Sequence, residues 1–85
     1  MRETNVVQLI VTPDFWVSRI YPEGVLEKWL ASDGAHVESG QEVADLRIEG
    51  ELVKLKAPAS GKLVIEARNN GLIEPGSVIG HIAAA

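Results

Sequence analysis

The sequence predicts an all-β domain, and three observations support that prediction. Apolar and polar residues alternate with a period of two along most of the chain. Turn signals rich in Gly, Pro, Asn, Asp and Ser interrupt this alternation every six to twelve residues. The one segment of helical appearance, residues 25–31, is too short to nucleate a helix between two glycine turns. Short strands at this spacing are typical of a β-sandwich or barrel.

The strands can be assigned in chain order from these patterns. The first is predicted over residues 6–11, a β-branched run that stops at Thr12-Pro13. Val37 forms a short extended piece between two turns. The remaining strands are each bounded by a turn signal and cover residues 25–30, 42–48, 51–55, 62–66 and 77–82.

The chain also contains an internal repeat of glycines and apolar residues. The first copy has Gly24, Gly34 and Gly40, and the second has Gly61, Gly71 and Gly76. The first spacing is the same in both copies, and the second copy is one residue shorter thereafter. Because one copy alone would expose its apolar face, we expect the two copies to close on each other around a pseudo-twofold axis.

A central hairpin is predicted with its turn at Glu49-Gly50. This register separates an apolar face from a polar face, and a slip of one residue would mix them. The apolar face pairs Leu46 with Val53 and Ala44 with Leu55, and the polar face pairs Asp45 with Lys54 and Val43 with Lys56.

Length and composition exclude several classes of function. The 85 residues predict a single domain over 1–85, and the absence of cysteine excludes disulfides, thiolate zinc sites and thiol catalysis. The net charge of −4 argues against a nucleic-acid partner. No apolar stretch approaches the roughly 20 residues that a membrane span needs, and no signal-peptide pattern opens the sequence. We therefore expect a soluble, cytoplasmic protein.

No catalytic constellation is visible in the sequence. His36 and His81 are 45 positions apart without ligand-like neighbours, which argues against a metal site. The serines lack a nucleophile-elbow pattern, and no glycine cluster fits a phosphate-binding loop. The sequence thus predicts a protein that is not an enzyme.

Four stretches together resemble the lipoyl domains of 2-oxo acid dehydrogenase acyltransferases and, more distantly, the related biotinyl domains. They are Ile10-Val11-Thr12-Pro13, Gly24-Val25-Leu26-Glu27-Lys28-Trp29-Leu30 with Gly34, Val37-Glu38-Ser39-Gly40-Gln41-Glu42-Val43-Ala44, and Ala57-Pro58-Ala59-Ser60-Gly61-Lys62-Leu63. The resemblance covers nearly the whole chain. It implies a barrel-sandwich hybrid, a flattened β-barrel of two small antiparallel sheets with pseudo-twofold symmetry.

The residue that carries the prosthetic group in that family is missing here. The family's lysine stands at the hairpin tip, seven residues before the Ala of an Ala-Pro pair. Counting back from Ala57 gives Gly50, and the acidic residue before it is Glu49. The resemblance therefore implies a degenerate member with no cofactor. The alternative is a genuine lipoyl or biotinyl carrier modified at an atypical lysine such as Lys54.

The loop after the first strand, residues 13–23, is rich in aromatic residues. It holds three of the four aromatic residues of the chain, and in the family the corresponding loop lies beside the hairpin tip. Aromatic residues with arginine are typical of protein interfaces. The predicted partner-binding residues are Phe15, Trp16, Arg19, Glu49, Gly50 and Glu51. Alternatively, Phe15 or Trp16 folds back to cap one end of the small core.

The sequence thus favours a non-catalytic interaction module that docks on an enzyme of a lipoyl- or biotin-dependent assembly, or on a second copy of itself. The competing hypothesis is a working carrier with lipoate or biotin on Lys54. A binding domain for a small molecule between the sheets is a third hypothesis.

Overall fold

The computed structural model describes residues 5–16 and 23–84, and these form eight β-strands and one turn of 3₁₀ helix. The strands are β1 (Asn5–Val11), β2 (Gly24–Trp29), β3 (His36–Val37), β4 (Glu42–Ile48), β5 (Glu51–Lys56), β6 (Gly61–Ile65), β7 (Gly71–Ile73) and β8 (Ser77–Ala84). The 3₁₀ turn spans Pro13–Phe15. The all-β prediction is confirmed, and the longer strands begin and end within two residues of their predicted bounds.

The strands form two antiparallel sheets of four strands each. One has the order β1-β8-β6-β3 and the other has the order β5-β4-β2-β7. Leu26 and Leu46 from one sheet and Leu63 and Ile82 from the other are fully buried in a common core between them. Burial of each such side chain stabilises the fold by roughly 1.5–3 kcal/mol. Among the described strands the sheets stay open at their edges, so the expected flattened barrel takes the form of a sandwich.

The two sheets are related by the predicted pseudo-twofold symmetry. Counting four strands onward, cyclically, converts the strand order of one sheet into that of the other. The symmetry extends to single backbone hydrogen bonds. Leu30 N–H to Val43 O (2.8 Å) matches Glu66 N–H to Ile79 O (3.0 Å), and Gly40 N–H to Ala57 O (2.8 Å) matches Gly76 N–H to Val11 O (2.7 Å). The internal repeat in the sequence therefore corresponds to two symmetric halves of the folded molecule.

The missing residue of the second copy lies before its turn, not after it. The register of β2 against β4 shifts between Leu26 and Lys28, whereas β6 pairs with β8 without a shift. Glu27 is thus a bulge residue that the second copy lacks. Because of this extra residue, the turn after β6 aligns with the turn after β2 one residue earlier than the glycine spacing suggests.

Asn70, and not Gly71, is consequently the counterpart of Gly34. Gly34 donates to Leu63 O at 2.7 Å, and Asn70 donates to Leu26 O at 2.6 Å. Both residues have positive φ, 87° for Gly34 and 66° for Asn70. Asparagine tolerates this left-handed conformation better than most residues, which explains how it replaces a glycine.

The central hairpin has the predicted register over most of its length. Leu46 pairs with Val53, Asp45 with Lys54, and Ala44 with Leu55. The predicted pairing of Val43 with Lys56 is wrong, because a register shift between Glu42 and Ala44 places Glu42 opposite Lys56. Val43 instead turns into the core and is fully buried.

Candidate functional site

The hairpin tip is a two-residue turn formed by Glu49 and Gly50. Both residues have positive φ, 54° and 81°, as a type I′ turn requires. A Cβ placed on Gly50 would meet no atom within 4 Å. The tip therefore has room for a side chain at position 50, but glycine has none.

Glu49 adopts a backbone conformation that glutamate rarely takes. A left-handed conformation of a residue with a Cβ costs about 1–2 kcal/mol, and Asn or Gly would hold it more easily. Glu49 and Gly50 are both exposed. The first position of the turn thus has an acidic residue in a backbone conformation that Asn or Gly would adopt at lower cost.

Arg47 ties the turn to the neighbouring strand β2. Its Nε donates to Glu27 Oε2 at 2.6 Å, and its Nη1 donates to the carbonyl oxygen of Gly50 at 3.2 Å. The hydrogen bond from Arg47 lowers the pKa of Glu27, and the same bond raises the pKa of Arg47. The bulge residue Glu27 therefore helps to hold the tip in place. No local pattern in the sequence points to this contact, because the two partners are 20 residues apart.

The first part of the aromatic loop is hydrogen-bonded to the residue that precedes β2. Trp16 Nε1 donates to the carbonyl oxygen of Glu23 at 3.2 Å, and the next residue, Gly24, pairs with Ile48 directly before the turn. The end of the loop at Glu23 thus adjoins the hairpin beside its turn.

The two aromatic residues of the predicted site contribute mainly to the core. Trp16 is only 7% exposed and belongs to the buried cluster, and Phe15 packs against that cluster while partly buried. Trp16 therefore packs into the core, which agrees with the alternative prediction that Phe15 or Trp16 caps one end of it, and offers little surface to a partner. Arg19 lies outside the residues that the structure describes.

The accessible surface at this end of the molecule combines acidic and apolar side chains. Glu51 is exposed opposite Ile48, next to the turn. One row further along the outer face, strand pairing aligns Leu52, Arg47, Val25 and Leu72 across the sheet. Leu52 is 46% exposed and Leu72 is 77% exposed. We call Glu49, Gly50, Glu51, Leu52 and Leu72 the tip surface. Sequence reasoning missed Leu72, because its neighbours across the sheet are far away in the chain.

Lys54, the alternative attachment site, is held by a carboxylate. Its Nζ lies 2.7 Å from Asp45 Oδ1, and the Asp45 side chain is only 7% exposed. The hydrogen bond to Asp45 raises the pKa of Lys54. Because amide formation needs the neutral amine, this environment makes Lys54 a poorer nucleophile than a free lysine. The other lysines in the described region, Lys28, Lys56 and Lys62, are exposed on strands rather than at the tip.

The histidines pair with single carboxylates. His36 Nε2 lies 2.7 Å from Glu38 Oε2, and His81 Nδ1 lies 2.6 Å from Glu66 Oε2. Across residues 5–16 and 23–84, no three His, Cys, Asp or Glu side chains are grouped in a way that could hold a metal ion. The same residues include no helix with the length and apolar character needed to cross a bilayer.

Comparison with known protein families gave no matching family, and comparison with curated proteins gave no match. Membership of the lipoyl and biotinyl domains stays a prediction from the motifs quoted above.

Proposed function

We propose that this protein is a non-catalytic interaction module of the lipoyl-domain type, acting in the cytoplasm. It uses its hairpin tip to dock on an enzyme of a lipoyl- or biotin-dependent assembly and not to carry a prosthetic group. The observation that carries this proposal is the tip itself, where Gly50 stands in open space without an amine.

The chemistry of attachment supports this reading over the carrier hypothesis. Lipoate or biotin is joined through an amide to a primary amine on a flexible stem, and Gly50 has no side chain. Lys54 lies within strand β5 and is paired with Asp45, so it is neither at the tip nor free to swing. The described lysines thus offer no equivalent of a swinging arm at this hairpin.

The composition of the tip surface supports docking. Leu52 exposes apolar area next to Glu51, and Leu72 exposes more at the opposite edge of the sheet, with Arg47 and Val25 between them. Apolar contacts with a charged rim are typical of protein interfaces. The strained backbone of Glu49 also supports docking at the tip surface, because conformational strain is commonly found at binding sites.

The partner class follows from the shape of the hairpin. An enzyme that acts on carrier domains must recognise the tip of such a hairpin and the loop beside it. A domain with this hairpin and no lysine would occupy the same surface without delivering a group. The protein would then serve as a structural or regulatory subunit of the assembly.

Site-specific photo-cross-linking in the native host tests the proposal. A photoreactive amino acid placed at Glu51 stands next to the tip, and the same amino acid at Lys56 stands at the other end of the same strand. We expect the probe at Glu51, and not the probe at Lys56, to capture a subunit of a lipoyl- or biotin-dependent enzyme. Equal capture from both positions, or capture of unrelated proteins only, would contradict the proposal.

A further inference from the structure

Strand β1 is an edge strand without charged residues. It reads Asn-Val-Val-Gln-Leu-Ile-Val over Asn5–Val11, and among the described strands it is hydrogen-bonded to β8 alone. An edge strand of this length is usually protected by charges, proline or a bulge, because its free backbone groups can pair with another chain.

The pseudo-symmetric edge strand β5 provides the contrast. It occupies the corresponding edge of the other sheet and carries Glu51, Lys54 and Lys56. Two copies of β5 side by side would bring like charges together. Each edge strand has a register shift in the pairing with its inner neighbour, between Leu9 and Ile10 for β1 and between Glu42 and Ala44 for β5. The two edges therefore differ in their charges, which β1 lacks.

The backbone of β1 leaves three residues free to pair. The carbonyl oxygen of Val11 accepts a hydrogen bond from Gly76 N–H at 2.7 Å, so it points towards β8. Because backbone groups alternate along a strand, those of Val6, Gln8 and Ile10 point to the open side. In an antiparallel pair these residues would exchange two hydrogen bonds each with their partners.

The exposed side chains of β1 fit the same arrangement. Val6 is 56% exposed and Ile10 is 38% exposed on the outer face, and Val78, opposite Ile10, is 41% exposed. These three residues form an apolar strip along the open edge. Their spacing places Val6 and Ile10 symmetrically on either side of Gln8.

We propose that β1 pairs antiparallel with β1 of a second copy of this chain, centred on Gln8. In this register Val6 of each copy stands opposite Ile10 of the other, Gln8 faces Gln8, and no charges meet. The interface is self-complementary, as a twofold dimer requires, and it joins the two four-stranded sheets into one of eight strands. The hairpin tip belongs to the other sheet, so it remains accessible in the dimer.

Sedimentation of the full chain and two variants tests this dimer. Val6→Lys puts a charge in the exposed strip, opposite Ile10 of the second copy, and Leu52→Lys makes the same change at the pseudo-equivalent, 46% exposed position of β5. We expect the wild type and Leu52→Lys to sediment as dimers at millimolar concentration, and Val6→Lys to sediment as a monomer with an unchanged circular dichroism spectrum. A monomeric wild type, or a dimer that survives Val6→Lys, would overturn the proposal.

A gain-of-function variant keeps the test independent of any loss of folding. The chain has no cysteine, so Gln8→Cys introduces a single thiol. Residues directly opposite in an antiparallel pair have Cα atoms about 4.5–5.5 Å apart, within the range that a disulfide spans. Mild oxidation should therefore convert folded Gln8→Cys into a covalent dimer. A thiol that stays monomeric after oxidation would refute this register.

Discussion

At the scale of single residues, the tip of the central hairpin bears on whether the domain carries a prosthetic group or only binds a partner protein. Gly50 provides the left-handed conformation that the turn needs and leaves the position without an amine. Glu49 accepts a conformation that suits it poorly, while Arg47 fixes the carbonyl oxygen of Gly50. A turn selected for stability alone would carry Asn before the glycine. The backbone of the turn would therefore be less strained with asparagine at position 49.

The variant Glu49→Asn should separate stability from binding. Asparagine relieves part of the left-handed strain, so we expect the free energy of unfolding of Glu49→Asn to exceed that of Glu49→Gln by about 0.5–1 kcal/mol. Glu49→Gln removes the same charge without relieving the strain and serves as the control. Urea unfolding measures the stability, and capture by a probe at Glu51 measures the docking. A Glu49→Asn variant no more stable than Glu49→Gln would show that the turn is not strained at this position.

The variant Gly50→Lys should fold and restore an attachment site. The added side chain meets open space, so the backbone conformation alone should lower the free energy of unfolding, by about 1–2 kcal/mol. We expect a lipoate ligase to modify Lys at this position, as judged by intact mass, with the wild type as control. A folded variant that the ligase ignores would contradict the likeness of this tip to that of lipoyl domains.

At the scale of elements, two side chains in equivalent turns link the halves of the molecule. Asp33 Oδ1 accepts a hydrogen bond from Ile65 N–H at 2.9 Å, and Asn69 Oδ1 accepts one from Trp29 N–H at 3.0 Å. Each turn of one copy thus holds a strand of the other copy. The equivalence of the two contacts follows from the pseudo-twofold axis.

We expect Asp33→Ala and Asn69→Ala each to lower the free energy of unfolding by about 1 kcal/mol, because each leaves one backbone N–H without its acceptor. The double variant should lose about the sum of the two. Chemical denaturation measures all three, and Asp14→Ala, at an exposed position of the 3₁₀ turn, is the control. Loss of stability in only one of the two single variants would contradict their equivalence.

The sequence predicts these elements well, because alternation and turn residues are local signals. Most of the register of the hairpin followed from the turn signal at Glu49-Gly50 and from the apolar face that includes Leu46 and Val53. The bulges at Glu27 and near Val43 were not predictable, because a bulge is defined by pairing with a strand elsewhere in the chain. The turn at Glu49-Gly50 was predictable from local signals. The hydrogen bond from Arg47 to Glu27 and the exposed Leu72 were not, because they too depend on pairing with strands elsewhere in the chain.

At the scale of the whole molecule, surface ion pairs make stability depend on pH. Hydrogen bonding by Arg47 lowers the pKa of Glu27, and hydrogen bonding by His36 and then Ser60 lowers the pKa of Glu38. A carboxyl group with a lowered pKa stabilises the folded state above its ordinary pKa, here 4.5, and this contribution is lost as the pH falls further.

Unfolding experiments from neutral pH to below 4.5 should show this loss in the wild type. The variant Glu27→Gln lacks one of the two groups, so its stability should fall less steeply in that acidic range. The two curves should therefore converge at low pH. Parallel curves through the acidic range would contradict the assigned role of the Glu27–Arg47 pair.

The most direct test of the central claim is the intact mass of the protein purified from its native host. We predict a mass without a lipoyl or biotinyl group, because the hairpin tip offers no amine and Lys54 is bound to Asp45. A mass increased by a lipoyl or biotinyl group, mapped by peptide sequencing to Lys54 or another lysine, would contradict the claim and establish the protein as a carrier.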